Sequence, residues 1–142
     1  MRSRERSGGP SGKPPRRRRA PVGGFDHATR GVLATVRTQR NMKFHVLAAV
    51  AVVAAGLLFR VSALEFAALV LAMTLVLAAE VLNTAVEALV DLVSPEPHPL
   101  AKLAKDCAAG AVLVCAVGAA VVGLLVLGDD VLALARSVAG RP

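Results

Sequence analysis

Tryptophan and tyrosine are absent from this 142-residue sequence, and four phenylalanines hold the aromatic share to 3%. A soluble core usually draws on aromatic bulk to fill its interior. Here 55% of the residues are apolar, and the long runs are built from Ala, Val and Leu. Such a composition fits a bundle of membrane helices, because small residues let helix backbones approach closely. Cysteine is also scarce. Cys107 and Cys115 stand eight apart in one apolar run, which is neither a zinc spacing nor a redox pair, so they read as small apolar helix residues. Acidic residues number only 10 against 17 Lys and Arg, giving a formal charge of +7.

The basic excess is local. Of the 17 Lys and Arg, 12 lie in residues 1–43 and 5 follow. Residues 1–24 combine four prolines, five glycines and the run Arg16–Arg19, a composition that cannot bury enough surface to fold alone. This is expected to be a disordered basic arm. Anionic phospholipid headgroups attract such a run. Nucleic acid is the weaker partner, because no aromatic platform or basic fold follows. A secretory leader is not expected, since the first apolar run begins near Val46 and further membrane-type segments come after it.

Residues 25–127 form the expected membrane domain, and residues 128–142 a short tail in which Val131–Ala139 has the makings of a separate external helix. Phe25, Ala28, Val32 and Val36 share one helical stripe flanked by Arg30, Arg37 and Arg40. This predicts an amphipathic helix lying in the membrane interface. A helix packed on a soluble partner has the same periodicity. Three apolar segments follow. Phe44–Phe59 is short for a span, though Lys43 and Arg60 at its ends can snorkel outward. The second starts near Glu65 and stays apolar to Ala79. The third, Cys107–Leu127, runs 21 residues without a charge. Three prolines in Ser94-Pro-Glu-Pro-His-Pro99 end the second helix before the third begins. The expected fold is therefore all-α and integral to the membrane, with three transmembrane helices and an interfacial N-terminal helix. Lys and Arg concentrate in residues 1–43 and at Lys102 and Lys105, which puts the N-terminus and the 94–106 loop in the cytoplasm of a multi-pass cell-membrane protein.

Glu80, Asn83, Glu87 and Asp91 fall within an arc of about 80° at 100° per residue. Three carboxylates and an amide thus continue one face of an otherwise apolar span. An unpaired carboxylate at membrane depth costs several kcal/mol or more. A bound cation, a nucleotide with its metal, or a basic partner would offset that cost. Interhelical hydrogen bonding or a wet helix end is the plainer reading, strongest for Asp91 and weakest for Glu80, which follows Leu77-Ala78-Ala79. Phosphoryl transfer needs a metal, cationic groups on the phosphates and a base beside the attacking hydroxyl. Glu80 and Glu87 are separated by about 10 Å along the axis, too far to share one ion but suited to a division of labour. Glu80 would take the proton from a lipid hydroxyl, and Glu87 would hold Mg²⁺ on the polyphosphate.

The stretch Glu80-Val-Leu-Asn-Thr-Ala-Val-Glu-Ala-Leu-Val-Asp91, followed by Pro-Glu-Pro-His-Pro-Leu-Ala-Lys and Ala104-Lys105-Asp106, resembles the prokaryotic diacylglycerol kinase family. A Walker-type G-x-x-x-x-G-K-[ST] loop, the mark of a common soluble phosphate site, does not occur. The resemblance covers roughly residues 24–127. It implies a homotrimer with shared sites between subunits, MgATP as donor and a lipid alcohol as acceptor. It makes Glu80 the base, Glu87 a metal ligand and Asn83 an ordering group. It sets Glu96 and His98 in the loop that meets the nucleotide, and Lys105 and Asp106 at the phosphates and nucleoside. Asn41, in the segment Thr38-Gln39-Arg40-Asn41-Met42-Lys43-Phe44-His45, falls to the lipid substrate. Gln39 stands where the family usually has a second metal carboxylate, so weaker metal affinity or a water-mediated contact is expected. The wording of the motifs is nearer the undecaprenol kinase branch than the diacylglycerol one. A small proton-coupled transporter using Glu80 would leave Lys105-Asp106 and the Glu-Pro-His-Pro loop without a purpose, and a non-catalytic anchor for the arm would leave the aligned carboxylate face unexplained.

Overall fold

The computed structural model describes residues 23–140 as four helices: α1 (Gly23–Thr38), α2 (Arg40–Phe59), α3 (Ala63–Val93) and α4 (Pro99–Ala139). Most of the expected basic arm, including Arg16–Arg19, lies outside the described residues. Its boundary moves slightly, because Gly23 and Gly24 already belong to α1.

Each helix break has a local cause. Gln39 separates α1 from α2 with an extended backbone (φ −92°, ψ 122°). It stands at the N-cap of α2 but makes no side-chain cap there, because its amide is used elsewhere. Arg60 ends α2 in the left-handed conformation (φ 55°, ψ 42°). The Val61 N–H then donates to Gly56 O at 3.2 Å and the Arg60 N–H to Leu57 O at 3.4 Å, the paired bonds of a Schellman ending. Ser62 and Glu65 open α3 with a reciprocal capping box. Pro99 occupies the first turn of α4, where its missing N–H costs nothing, and His98 caps that helix by accepting from the Leu100 N–H at 3.2 Å.

Several element boundaries differ from the sequence reading. α4 begins at Pro99, eight residues before the expected Cys107, so most of the expected 94–106 loop is helix. Arg40–Lys43 are helical, so the first span has 20 residues instead of 16 and reaches about 30 Å, the thickness of a hydrocarbon core. Met42, within that added turn, is buried. At the other end of the chain, no separate external helix forms. α4 runs unbroken through Gly128, Asp129 and Asp130 to Ala139. Glycine and aspartate weaken a helix only modestly, and the good helix formers of Val131–Ala139 carry it on.

α3 is the central element. It packs along α4 on one side and α2 on the other, and α1 touches both α2 and α3. Among the described residues, Met42, Leu69, Val76, Val112, Ala119 and Leu127 make up the buried apolar side chains. Gly56 lets α2 approach α3 closely, since a Cβ there would stand 3.1 Å from the Phe66 ring. Most other aliphatic side chains face outward, Leu125 with 81% of its surface open. So much exposed hydrocarbon is untenable in water and ordinary in lipid. α2, α3 and α4 are each long and apolar enough to cross a membrane.

Candidate functional site

Along α3 the four polar residues of the stripe pass from interior to surface. Glu80 and Asn83 are buried, Glu87 is half-buried and Asp91 is exposed. Their surroundings divide the site into three levels.

Glu80 occupies the deepest. Only 2% of its surface is open, yet among the described residues its Oε1 has no hydrogen-bond partner, and neither has Oδ1 of the adjacent Asn83. Both residues line a cavity of about 230 Å³ together with Asn41 and His45 of α2 and Ala109, Val112, Leu113 and Ala116 of α4. His45 Nε2 lies 3.5 Å from Glu80 Oε1, at the limit of hydrogen-bonding distance. Acceptors left open in an apolar interior are costly unless a ligand completes them. A hydroxyl group fits the cavity by both size and polarity.

Glu87 forms the middle level. Its two oxygens each accept from an amide: Oε2 from Gln39 Nε2 and Oε1 from Asn83 Nδ2, both at 3.1 Å. The carboxylate is thus held from two sides. Both amides turn their nitrogens to Glu87, so the metal-type donors here are the two carboxylate oxygens, which suit a hard cation such as Mg²⁺ once an amide N–H gives way. Among the described residues no group of three or more His, Cys, Asp or Glu gathers at one point. A magnesium ion on Glu87 would therefore complete its shell with water and phosphate oxygens, its common habit.

The outer level is a cleft of about 670 Å³ where α3 turns into α4. Glu96, His98, Lys105 and Asp106, four of the residues singled out from the sequence, line it together with Asp91 and Lys102. Lys105 Nζ is paired with Asp91 across the two helices, and Lys102 Nζ with Asp106 at 2.9 Å along α4. Lys105 and Asp106 therefore share the cleft but not a partner. His98 uses Nδ1 as the cap, which leaves Nε2 as the donor of the neutral ring.

Every residue assigned a role from the sequence lies at this end of the bundle, Asn41 at the inner cavity, Gln39 at the middle and the rest as described. His45 joins them without having been singled out. A signal for it exists, since it follows Asn41 by four residues and so shares its helical face. Its nearness to Glu80, however, joins two helices and has no mark in either one alone.

The sequence profile of the prokaryotic diacylglycerol kinase family matches residues 26–127. An undecaprenol kinase from Bacillus subtilis is 48% identical over 102 residues, covering 72% of this chain and 83% of the relative. A diacylglycerol kinase from Synechocystis is 46% identical over 111 residues, covering 78% of this chain and 63% of the relative. A diacylglycerol kinase from Pseudomonas aeruginosa is 41% identical over 81 residues, covering 57% of this chain and 66% of the relative. The match spans α1 to α3 and the part of α4 that carries the cleft and the inner cavity, and on that ground the chain belongs to the prokaryotic diacylglycerol kinase family.

Proposed function

We propose that the chain is a membrane kinase that moves the γ-phosphate of ATP onto undecaprenol, with Glu80 as the base. One observation carries this reading. A buried carboxylate with an open oxygen faces a cavity walled by apolar residues of α4, at the same end of the bundle as a cleft that carries the ammonium groups of Lys102 and Lys105 beside three carboxylates. A lipid alcohol and a polyphosphate need those two environments side by side.

In this mechanism the acceptor hydroxyl enters beside Glu80, and its tail leaves through the apolar wall of the cavity into lipid. The nucleotide occupies the outer cleft, where Lys105 exchanges Asp91 for phosphate oxygens, and Asp106 and Glu96 meet the nucleoside. The phosphate chain extends along α3 toward Glu87. Glu87, with Gln39 nearby, would hold Mg²⁺, which would neutralise charge on the phosphate oxygens. Glu80 takes the hydroxyl proton as the oxygen attacks phosphorus, the bond to the β-phosphate breaks, and ADP leaves.

The assembly we favour is a homotrimer, in which part of the exposed aliphatic surface meets neighbouring subunits and the rest meets lipid. α1 would lie in the interface, with Phe25, 89% open, turned toward the acyl chains and the basic arm toward anionic headgroups. The Lys and Arg distribution supports a cytoplasmic N-terminus.

Undecaprenol is preferred because the Bacillus subtilis relative bears that name and aligns over most of its own length. Diacylglycerol is the second reading, supported by the names of the other two relatives. Purified protein given labelled ATP and undecaprenol, diacylglycerol or ceramide distinguishes them. Transfer to undecaprenol is expected. Transfer to diacylglycerol alone selects the second reading, and transfer to none removes both. Glu80→Gln should abolish turnover while ATP still binds.

A further inference from the structure

Glu80 has a difficulty that its burial creates. Having taken a proton from the acceptor, it must lose that proton before the next turnover, and only 2% of its surface is open. The apolar wall of α4 offers no path. Ala109, Val112, Leu113 and Ala116 carry no group able to accept a proton, and α1 contributes nothing to the cavity. On α2, Asn41 is an amide and does not titrate near neutrality. On α3, Asn83 is likewise an amide. Among the described residues, the one titratable side chain that shares the cavity with Glu80 is His45.

His45 is placed for the task. Its Nε2 lies 3.5 Å from Oε1, the same Glu80 oxygen that has no hydrogen-bond partner among the described residues. Its side chain is 24% exposed against 3% for that of Glu80, so it is the more open member of the pair. Hydrogen bonds of this kind are often long before substrate binds and shorten in the productive complex.

We propose that His45 is the exit for the proton that Glu80 removes from the acceptor hydroxyl, and thereby sets the rate at which the base is restored. This rests on Glu80 being the base. The acceptor O–H bond breaks, its proton goes to Glu80 Oε1, and the freed oxygen forms the new bond to phosphorus as the bond to the β-phosphate breaks. Glu80 then passes the proton to the lone pair of His45 Nε2. The resulting imidazolium discharges one proton to water, and tautomer exchange with water returns the ring to its starting form. No oxidant, reductant or second reactant is needed. His45 acts through Glu80 and is a positioning and relay residue.

The test uses the full-length protein in detergent micelles with the acceptor that it phosphorylates best. His45→Gln keeps a polar side chain of similar reach near Glu80 but cannot carry a proton. It should lower kcat by about 10- to 100-fold, with KM for ATP unchanged. His45→Ala should lose as much and recover in part when free imidazole is added to the buffer. The two variants are independent, so a folding defect in one leaves the question decidable by the other. Near-normal kcat in His45→Gln, or failure of imidazole to restore folded His45→Ala, would each overturn the proposal. If Glu80→Gln retains turnover, it is instead the assignment of the base that falls.

Discussion

The side-chain amide of Gln39 donates to Oε2 of Glu87 at 3.1 Å, tying the break between α1 and α2 to a carboxylate 48 positions further along the chain. The pairing explains why Gln39 leaves its own helix uncapped. It also places a neutral group where a second carboxylate would double the negative charge beside a cation.

Gln39→Glu should therefore strengthen magnesium binding, because affinity in oxygen-donor sites rises with ligand charge. The half-saturating Mg²⁺ concentration in the kinase assay should fall on the order of fivefold. Without the metal, the introduced carboxylate and that of Glu87 would face each other as like charges, and the variant should lose about 1 kcal/mol of stability in EDTA. Mg²⁺ titrations and thermal unfolding with and without chelator read both effects. An unchanged magnesium requirement would remove Gln39 from the metal site.

On the proposed reading, Asp91 competes with phosphate for Lys105. Asp91→Asn should free the lysine and tighten ATP binding about two- to fivefold, in keeping with the small worth of a largely exposed ion pair. Lys105→Ala should weaken binding. Equilibrium titration with a non-hydrolysable ATP analogue checks the pair, and weaker binding in Asp91→Asn would show that Asp91 serves the nucleotide itself.

Arg60 carries a side chain at a left-handed position that glycine occupies without steric cost. Arg60→Gly should raise stability by about 1 kcal/mol and leave kcat unaltered, since the turn lies at the opposite end of α2 and α3 from the site. The thermal midpoint in detergent is the measurement, and a decrease would reveal a contact of the guanidinium worth more than the strain.

Gly56 lies where α2 packs tightly on α3. Gly56→Val would press a branched side chain against Phe66, whose ring stands 3.1 Å from the position of a Cβ. A loss of about 1–3 kcal/mol is expected from such overpacking. A second substitution, Phe66→Leu, should restore part of it by opening space, and no recovery in the double variant would locate the damage elsewhere.

The parts of this protein that are legible in its sequence are those written within one helix. The stripe from Glu80 to Asp91 follows from helical period alone, and its graded burial follows from the apolar run that precedes it. The proline-rich break after Ser94 is equally plain. What the sequence hides lies between helices. His45 beside Glu80 joins α2 to α3, and Lys105 with Asp91 joins α4 to α3. Packing registers, not local patterns, create both contacts. The ends of α2 and α4 differ from expectation for another reason. Polar residues at Arg40–Lys43 and at Asp129–Asp130 mark where hydrocarbon stops, and a helix does not have to stop where the lipid does.

The connection between α3 and α4 has a chemical consequence. Pro95, Pro97 and Pro99 have no N–H, and the Leu100 N–H is already taken by His98. The backbone amides that cradle anions in glycine-rich loops are largely missing from this turn. If this turn receives the nucleotide as proposed, anion capture falls to flexible ammonium groups, which hold a triphosphate by charge more than by shape. Nucleotide affinity should accordingly decline steeply with ionic strength, and selection among nucleoside triphosphates should be loose.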